Sequence, residues 1–302
     1  MAMKTPAVKR AVAKSTKPPD RVVFAIEERR PTIVEVIGSA KKRVLMSIFR
    51  CADFHVLDAL AEALERGVHV ELLMTPLAKG WEKKLTELTG FVESLGAIVH
   101  KYSDPVVKYH AKYLLVDDGP AVVASLNITK KCFTETCDFL LITHDPAVIS
   151  GLEKLFEADK CAPETEFPEG ISERLFIGPD RARAQFTSFL AGAKHSIRII
   201  DHKLTDPAIV TLLKAKQADG VVVEILGQGR VAGMVSHGRL AIVDERKAVF
   251  GSMSLCALSL NFRREVAVMV DDPDCIARLN QFYQELEDAS PDASVGKKKL
   301  KK

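Results

Sequence analysis

The chain has 302 residues, 47% of them hydrophobic and 27% charged, with a formal net charge of +3; that is enough for one large or two ordinary domains with cores of their own. No stretch is long and apolar enough for a membrane span, and the N-terminus MAMKTPAVKRAVAKSTKPPD lacks the apolar run of a secretion signal. A cytoplasmic protein without a transmembrane segment is the expectation.

The six cysteines (Cys51, Cys132, Cys137, Cys161, Cys256, Cys275) show no CxxC and no paired spacing, which argues for reduced, mostly buried thiols over disulfides or a zinc site. Charge is unevenly spread. Residues 1–19 carry five Lys/Arg and no acid, and 295–302 carry five Lys, leaving a body with 33 basic and 40 acidic residues. Basic tails on an acidic body suit solubilising ends, or contact with nucleic acid or an anionic membrane surface.

In chain order, residues 1–20 read as a disordered basic arm. A helix is expected over Thr32–Lys42 and a strand over Arg43–Phe49. Asp53 is the expected cap of a helix carrying Leu57, Leu60 and Leu64 on one face and ended by Gly67. A strand at Val68–Met74, a helix near Glu82–Ser94 and a strand at Ala97–Tyr102 follow, and Pro146–Ala158 closes this half as a helix. The polar, turn-rich segment at 161–170 reads as a linker. A second half at 171–290 repeats the order: helix around Arg181–Ala193, strand Ile197–Asp201, helix entered at Asp206-Pro207 and ended by Gly220, strand Val221–Leu226. Residues 291–302 form a basic tail. Alternating helices and strands give an α/β class, with the first half at 21–160 and the second at 171–290.

Two cassettes stand out. The first is His110-x-Lys112-x4-Asp117, followed by Ser125-x-Asn127; shifting by 127 gives His237-x-Arg239-x4-Asp244, then Ser252-x-Ser254. The same shift carries Asp138 onto Glu265 and Asp145-Pro146 onto Asp272-Pro273. Such self-similarity marks an internal repeat. Ala40 and Gly67 align with Ala193 and Gly220 at a shift of 153, so the second half lacks 26 residues before its cassette, matching the Glu82–Tyr102 helix and strand.

Residues i and i+2 of a strand share a face, so His110 projects with Lys112 and His237 with Arg239. Two-residue hairpin loops at Asp118-Gly119 and Glu245-Arg246 would set His110 opposite Asn127, Lys112 opposite Ser125, His237 opposite Ser254 and Arg239 opposite Ser252. Each half then offers imidazole, cation and small hydrogen-bonding groups, a patch suited to a tetrahedral oxyanion. Two imidazoles supply a nucleophile and a proton donor for in-line displacement at phosphorus without a metal or cofactor. Lys112 and Arg239 would offset phosphate charge, Ser125, Asn127, Ser252 and Ser254 would bind its oxygens, and Asp138 and Glu265 would fix the histidine tautomers.

At these residues the sequence resembles the phospholipase D superfamily, whose signature is HxKx4D followed by a Gly-Ser-x-Asn-like segment, usually present twice. The resemblance covers roughly 21–290. It implies two pseudo-symmetric α/β domains, each a mixed sheet flanked by helices, with the active site between them. It also implies metal-independent phosphodiester chemistry through a phosphohistidine, with His110 as nucleophile and His237 as acid/base. Asp117 and Asp244 match the motif's aspartate; their strand parity sets them away from the histidines and gives them a structural role. Three positions depart from the pattern: Arg239 for Lys, Ser254 for Asn and Ala124 for Gly. An Arg fork is not equivalent to an ammonium at a tight phosphate site, so a catalytically weakened binding or scaffold protein is one alternative. The basic tails tilt the substrate towards nucleic acid, while few aromatic side chains for base stacking and the affinity of such tails for anionic lipid keep a phospholipase D or phosphatidyltransferase reading beside it.

The other histidines (His55, His69, His100, His144, His195, His202) have no repeated partner and read as surface or packing residues, with His202 and Lys203 at a strand end where substrate could pass. Gly227-x-Gly229-x-x-Ala232 mimics a dinucleotide fingerprint, but a strand follows it where the fingerprint needs a helix; a loop rimming the site is the better reading. Lys130-Lys131 reads as a solvated pair.

Overall fold

A computed structural model describes residues 18–227 and 229–289. The expected basic arm and tail lie outside the described residues, apart from residues 18–20.

The first half runs β1 (Arg21–Val23), α1 (Ile26–Gly38), β2 (Arg43–Ile48), α2 (Phe54–Glu65), β3 (His69–Met74), α3 (Glu82–Ser94), β4 (Ile98–Lys101), β5 (Lys108–Tyr109), β6 (Tyr113–Val116), β7 (Ala121–Ala124), α4 (Lys130–Thr134), β8 (Thr136–Cys137), β9 (Leu140–Thr143) and α5 (Pro146–Lys160). The second runs β10 (Leu175–Gly178), α6 (Ala182–Ala191), β11 (Ser196–Ile200), α7 (Pro207–Ala218), β12 (Val222–Leu226), β13 (Arg230–Val231), β14 (Met234–Ser236), β15 (Arg239–Val243), β16 (Lys247–Gly251), α8 (Ala257–Phe262), β17 (Arg263–Val270) and α9 (Pro273–Asp288).

The sheets are consistent with the repeat. One is ordered β1-β9-β7-β6-β2-β3-β4, the other β10-β17-β16-β15-β11-β12. Six strands correspond in the same order, and β4 has no counterpart. Together with α3 it is the helix and strand that the 26-residue deficit removes. Each half closes on the same device: Asp145 and Asp272, each followed by proline, accept backbone N–H bonds at the starts of α5 and α9.

Side chains from both sheets bury against each other. Leu115, Val123 and Phe139 of the first half share one core with Leu240, Phe250 and Val268 of the second, and the Phe139 and Phe250 rings lie 5.7 Å apart. Helix α9 crosses back onto the first half, where Phe282 stacks on Phe24 at 4.3 Å. Separate apolar layers cover the outer faces under α1–α3 and under α6–α8.

Several local expectations shift. Helix α1 lies earlier than Thr32–Lys42, because the Asp117 carboxylate takes the amides of Lys41, Lys42 and Arg43 at 3.0, 2.8 and 2.9 Å and holds them out of a helix. Asp53 precedes α2 but makes no side-chain cap; its carboxylate pairs with Arg30 at 2.8 Å. Strands β1 and β10 are too short to show a pattern in the sequence. Residues 161–170 hold no helix or strand, and the Gly227 loop leads into the β13–β14 hairpin.

The hairpin register is one residue off the expectation. Tyr113 pairs with Val123 and Arg239 with Gly251, and the amide of Ala124 donates to the carbonyl of Lys112 at 3.0 Å. Lys112 therefore faces Ala124 rather than Ser125, and Arg239 faces Gly251 rather than Ser252. Asp117 and Asp244 are the reason. Both adopt positive φ, 49° and 52°, and join the turn as a third loop residue. A one-residue slip sends a side chain to the opposite face.

Candidate active site

Each histidine is delivered by a short strand that leaves its own half and pairs with the other. Strand β5, just before His110, runs parallel to β17 (Lys108 with Arg263, Tyr109 with Arg264), and the His110 amide donates to the Arg264 carbonyl at 2.9 Å. Strand β14, just before His237, runs parallel to β8 (Val235 with Thr136, Ser236 with Cys137). Gly238 then donates its amide to the Cys137 carbonyl at 2.7 Å. A Cβ at Gly238 would stand 2.7 Å from that oxygen and 2.9 Å from Ser125 Oγ, so the close approach of the halves requires glycine there.

The crossing pairs each imidazole with the other half's carboxylate. Nδ1 of His237 donates to Asp138, 2.9 Å from Oδ1 and 3.1 Å from Oδ2. Nδ1 of His110 lies 2.8 Å from Glu265 Oε1. Asp138 and Glu265 are 0% exposed. Asp138 also accepts from Ser125 Oγ at 2.6 Å and from Thr136 Oγ1, and Glu265 accepts from Ser259 Oγ and lies 3.5 Å from Arg263. Deep behind Asp138, the buried Arg29 guanidinium donates to the carbonyls of Cys132 and Thr136 and anchors this segment.

The cations take equivalent places. Lys112 Nζ lies 3.2 Å from both ring nitrogens of His110 and donates to its carbonyl at 2.8 Å; Arg239 Nη1 donates to the His237 carbonyl. The substitution thus keeps the contact that the ammonium makes in the first half. Arg239 Nε is buried without a hydrogen-bond partner among the described residues.

Electrostatically the two pairs differ. Burial, and then the charges of Lys112, Arg239 and Arg263, hold the His110 imidazole well below its ordinary range, which keeps it neutral. Burial also raises the Glu265 carboxyl, against the Ser259 hydrogen bond and the nearby cations. For Asp138, burial alone would raise the carboxyl, but the charge and hydrogen bond of His237 and the hydroxyls of Ser125 and Thr136 outweigh it and keep it ionised. Lys112 is brought down to about 7, by burial above all, with Glu265 opposing and Arg239 adding.

The serines are buried and bonded within the protein instead of lining an open phosphate patch. Ser125, Ser252 and Ser254 are at most 1% exposed. Ser125 holds Asp138, Ser252 bonds to the Val266 backbone at 3.2 Å, and Ser254 donates to Asp201 at 2.8 Å. The register slip turns them inward, where they position carboxylates and backbone. Asn127 is buried, with an amide oxygen that lacks a partner among the described residues. Asp117 and Asp244 sit at the far ends of their hairpins, where Asp244 takes the amides of Lys194, His195 and Ser196 as Asp117 does in the first half.

Four further residues join the site. The Phe49 ring packs edgewise on His110 at 4.6 Å. Arg263 contacts Glu265, and the charges of Arg239 and His237 bear on His202, whose Nδ1 is buried without a hydrogen-bond partner among the described residues. Lys203 feels Arg239 and Arg263. The repeat contained the signal for Phe49 and Arg263: the 153-residue shift places Phe49 on His202 and Arg50 on Lys203, and the 127-residue shift places Thr136 on Arg263. Ligand atoms of Cys132, Asp138 and His237 lie within 4.8 Å of one another and could hold a soft cation.

The two α/β halves and their crossed histidine–carboxylate pairs outline one candidate site built from both. Residues 33–160 match the family model described as "Cardiolipin synthase, PLD-like domain", a match that supports membership of the phospholipase D superfamily. The chain is 26% identical over 133 residues to cardiolipin synthase 1 of Bacillus anthracis, covering 43% of this chain and 26% of that protein. The chain thus spans about a quarter of the length of that relative. Two solved structures share the fold. Polyphosphate kinase from Porphyromonas gingivalis superposes with a TM-score of 0.73 at 15% identity, over 100% of this chain and 54% of the other. Phosphatidylserine synthase of Haemophilus influenzae does so with a TM-score of 0.69 at 12% identity, over 89% and 86%. Among the described residues no helix is long and apolar enough to cross a membrane.

Proposed function

We propose that the chain is a phosphodiester-cleaving enzyme that passes a phosphatidyl group to water or an alcohol through a phosphohistidine. The observation that carries this reading is the unequal pair of crossed histidine–carboxylate contacts. A neutral His110 has an unprotonated ring nitrogen to attack phosphorus, and Glu265 beside Nδ1 stabilises the positive charge that develops as the P–N bond forms. His237, held by an ionised Asp138, protonates the departing alcohol oxygen as its bond to phosphorus breaks. In the second step it takes a proton from water or an acceptor alcohol, whose oxygen displaces the His110 nitrogen. Lys112 and Arg239 offset the charge on the phosphoryl oxygens throughout.

Of the two substrate classes left open by the sequence, this reading takes the phospholipid. The family description and the name of the cardiolipin synthase relatives support it. So does the exposed apolar side chain of Phe54 (77% exposed), five residues after Phe49. The four tyrosines and single tryptophan remain few for base stacking.

The full chain incubated in EDTA with phosphatidylglycerol vesicles, single-stranded DNA, RNA and a chromogenic phosphodiester tests the proposal. Turnover of the lipid, lost in His110→Ala, is expected. Wild-type protein inert on all four, or a His110→Ala variant as active as wild type, would refute enzymatic action; turnover confined to nucleic acid would refute the choice of substrate.

A further inference from the structure

Strand β17 has two faces. Arg263 and Glu265 turn towards the histidines, so Arg264 points the other way. There it borders a polar cavity of about 140 Å³, whose other walls include Tyr102, Asp159, Phe167 and Asp180. Four carboxylates (Asp104, Asp159, Glu166, Asp180) face this space against one guanidinium, with no lysine or histidine in the lining.

The guanidinium is already committed. Arg264 Nε lies 2.9 Å from Asp159 Oδ1, and Nη1 donates to Asp180 and to the Gly178 carbonyl. Asp159 is 1% exposed, and its second oxygen, Oδ2, has no hydrogen-bond partner among the described residues. A buried carboxylate oxygen left unpaired carries a desolvation cost that a bound donor would remove. Phe167 and three prolines (Pro163, Pro168, Pro179) supply an apolar wall beside it.

We propose that this cavity is a binding site for a small organic cation, a primary amine or the end of a polyamine, with its ammonium against Asp159 Oδ2 and its methylenes along Phe167 and the prolines. An anion is disfavoured by the acidic lining, and a bare metal ion would leave the apolar wall without a partner. Burial pushes the Asp159 carboxyl up to about 7, so an entering ammonium also displaces the proton it carries at neutral pH. The site is one residue from the reaction centre: the Arg264 carbonyl accepts the His110 amide, and the next residue is Glu265. A cation that competes with Arg264 for Asp159 therefore bears on the strand that holds the nucleophile.

Isothermal titration of the full chain with putrescine tests this without any substrate, with magnesium, tetramethylammonium and inorganic phosphate as comparison ligands. One saturable putrescine site per chain with proton release is expected, weakened about tenfold or more in Asp159→Asn. Glu166→Lys, an exposed change that leaves the Asp159–Arg264 pair intact, should weaken it similarly by placing a cation at the mouth. Thermal melts of both variants report folding. Putrescine that gives no saturable heat, binds both folded variants as tightly as wild type, or is matched by magnesium or phosphate would overturn the proposal.

Discussion

Asp138 lies 2.9 Å from Nδ1 of His237, 99 residues downstream and in the opposite half of the molecule. Glu265 and His110 repeat the relationship in reverse at 2.8 Å. Neither half holds a complete histidine–carboxylate pair, so the proposed activity requires the assembled interface. Asp138→Asn keeps the shape but loses the charge that fixes the tautomer. A fall in kcat of about 100-fold or more is expected, with KM little changed. Ser125→Ala, which leaves Asp138 with fewer donors, should cost less. Steady-state kinetics on the substrate that the panel identifies would check the order.

Lys112 sets an alkaline limit. With its ammonium near pH 7 in the free protein, kcat/KM should fall as pH rises through that value, and Lys112→Arg should move the limb to higher pH. Stability follows the opposite course. The unfolded chain keeps this proton up to 10.5 while the native state releases it near 7, so between these values the unfolded state binds more protons. The lysine's contribution makes folding stability rise with pH across that window. Thermal melts of wild type and Lys112→Met from pH 6 to 10 should therefore converge as pH increases.

Arg239 performs in its half the backbone contact that Lys112 makes in the other. The charge and that hydrogen bond survive Arg239→Lys, so this variant should retain activity within about tenfold, whereas Arg239→Gln should lose more than Arg239→Lys. A lysine variant far more active than wild type would mark the second half as impaired.

The motif aspartates should separate stability from catalysis. Asp117→Ala removes an acceptor serving three backbone amides. A loss of about 1–3 kcal/mol is expected, with kcat unchanged in the folded fraction. The same holds for Asp244→Ala. Denaturant melts combined with active-site titration would check both; a selective loss of kcat would place them in the chemistry instead.

Much of this was legible in the sequence because it is local or repeated. Hydrophobic runs and turn residues marked most of the longer helices and strands, the cassettes marked the histidines and cations, and unequal shifts of 153 and 127 located the missing α3 and β4. Positive φ at Asp117 and Asp244 is a backbone state that the hairpin spacing did not reveal, and the resulting slip changed the expected cross-strand partners of Lys112 and Arg239. Arg263 and Phe49 were missed because an aligned repeat says which positions correspond, not which of them approach the same atom.

By itself the sequence determined the α/β class and pointed to a repeat and to two histidines as its candidate centre, since each rests on periodicity or motif spacing within one half. Tertiary structure alone decided that β5 and β14 each pair with the opposite half, which carboxylate serves which imidazole, and why His110 is neutral while Asp138 is ionised. Those outcomes depend on desolvation and on charges brought together across the interface, quantities that have no value until the chain has folded.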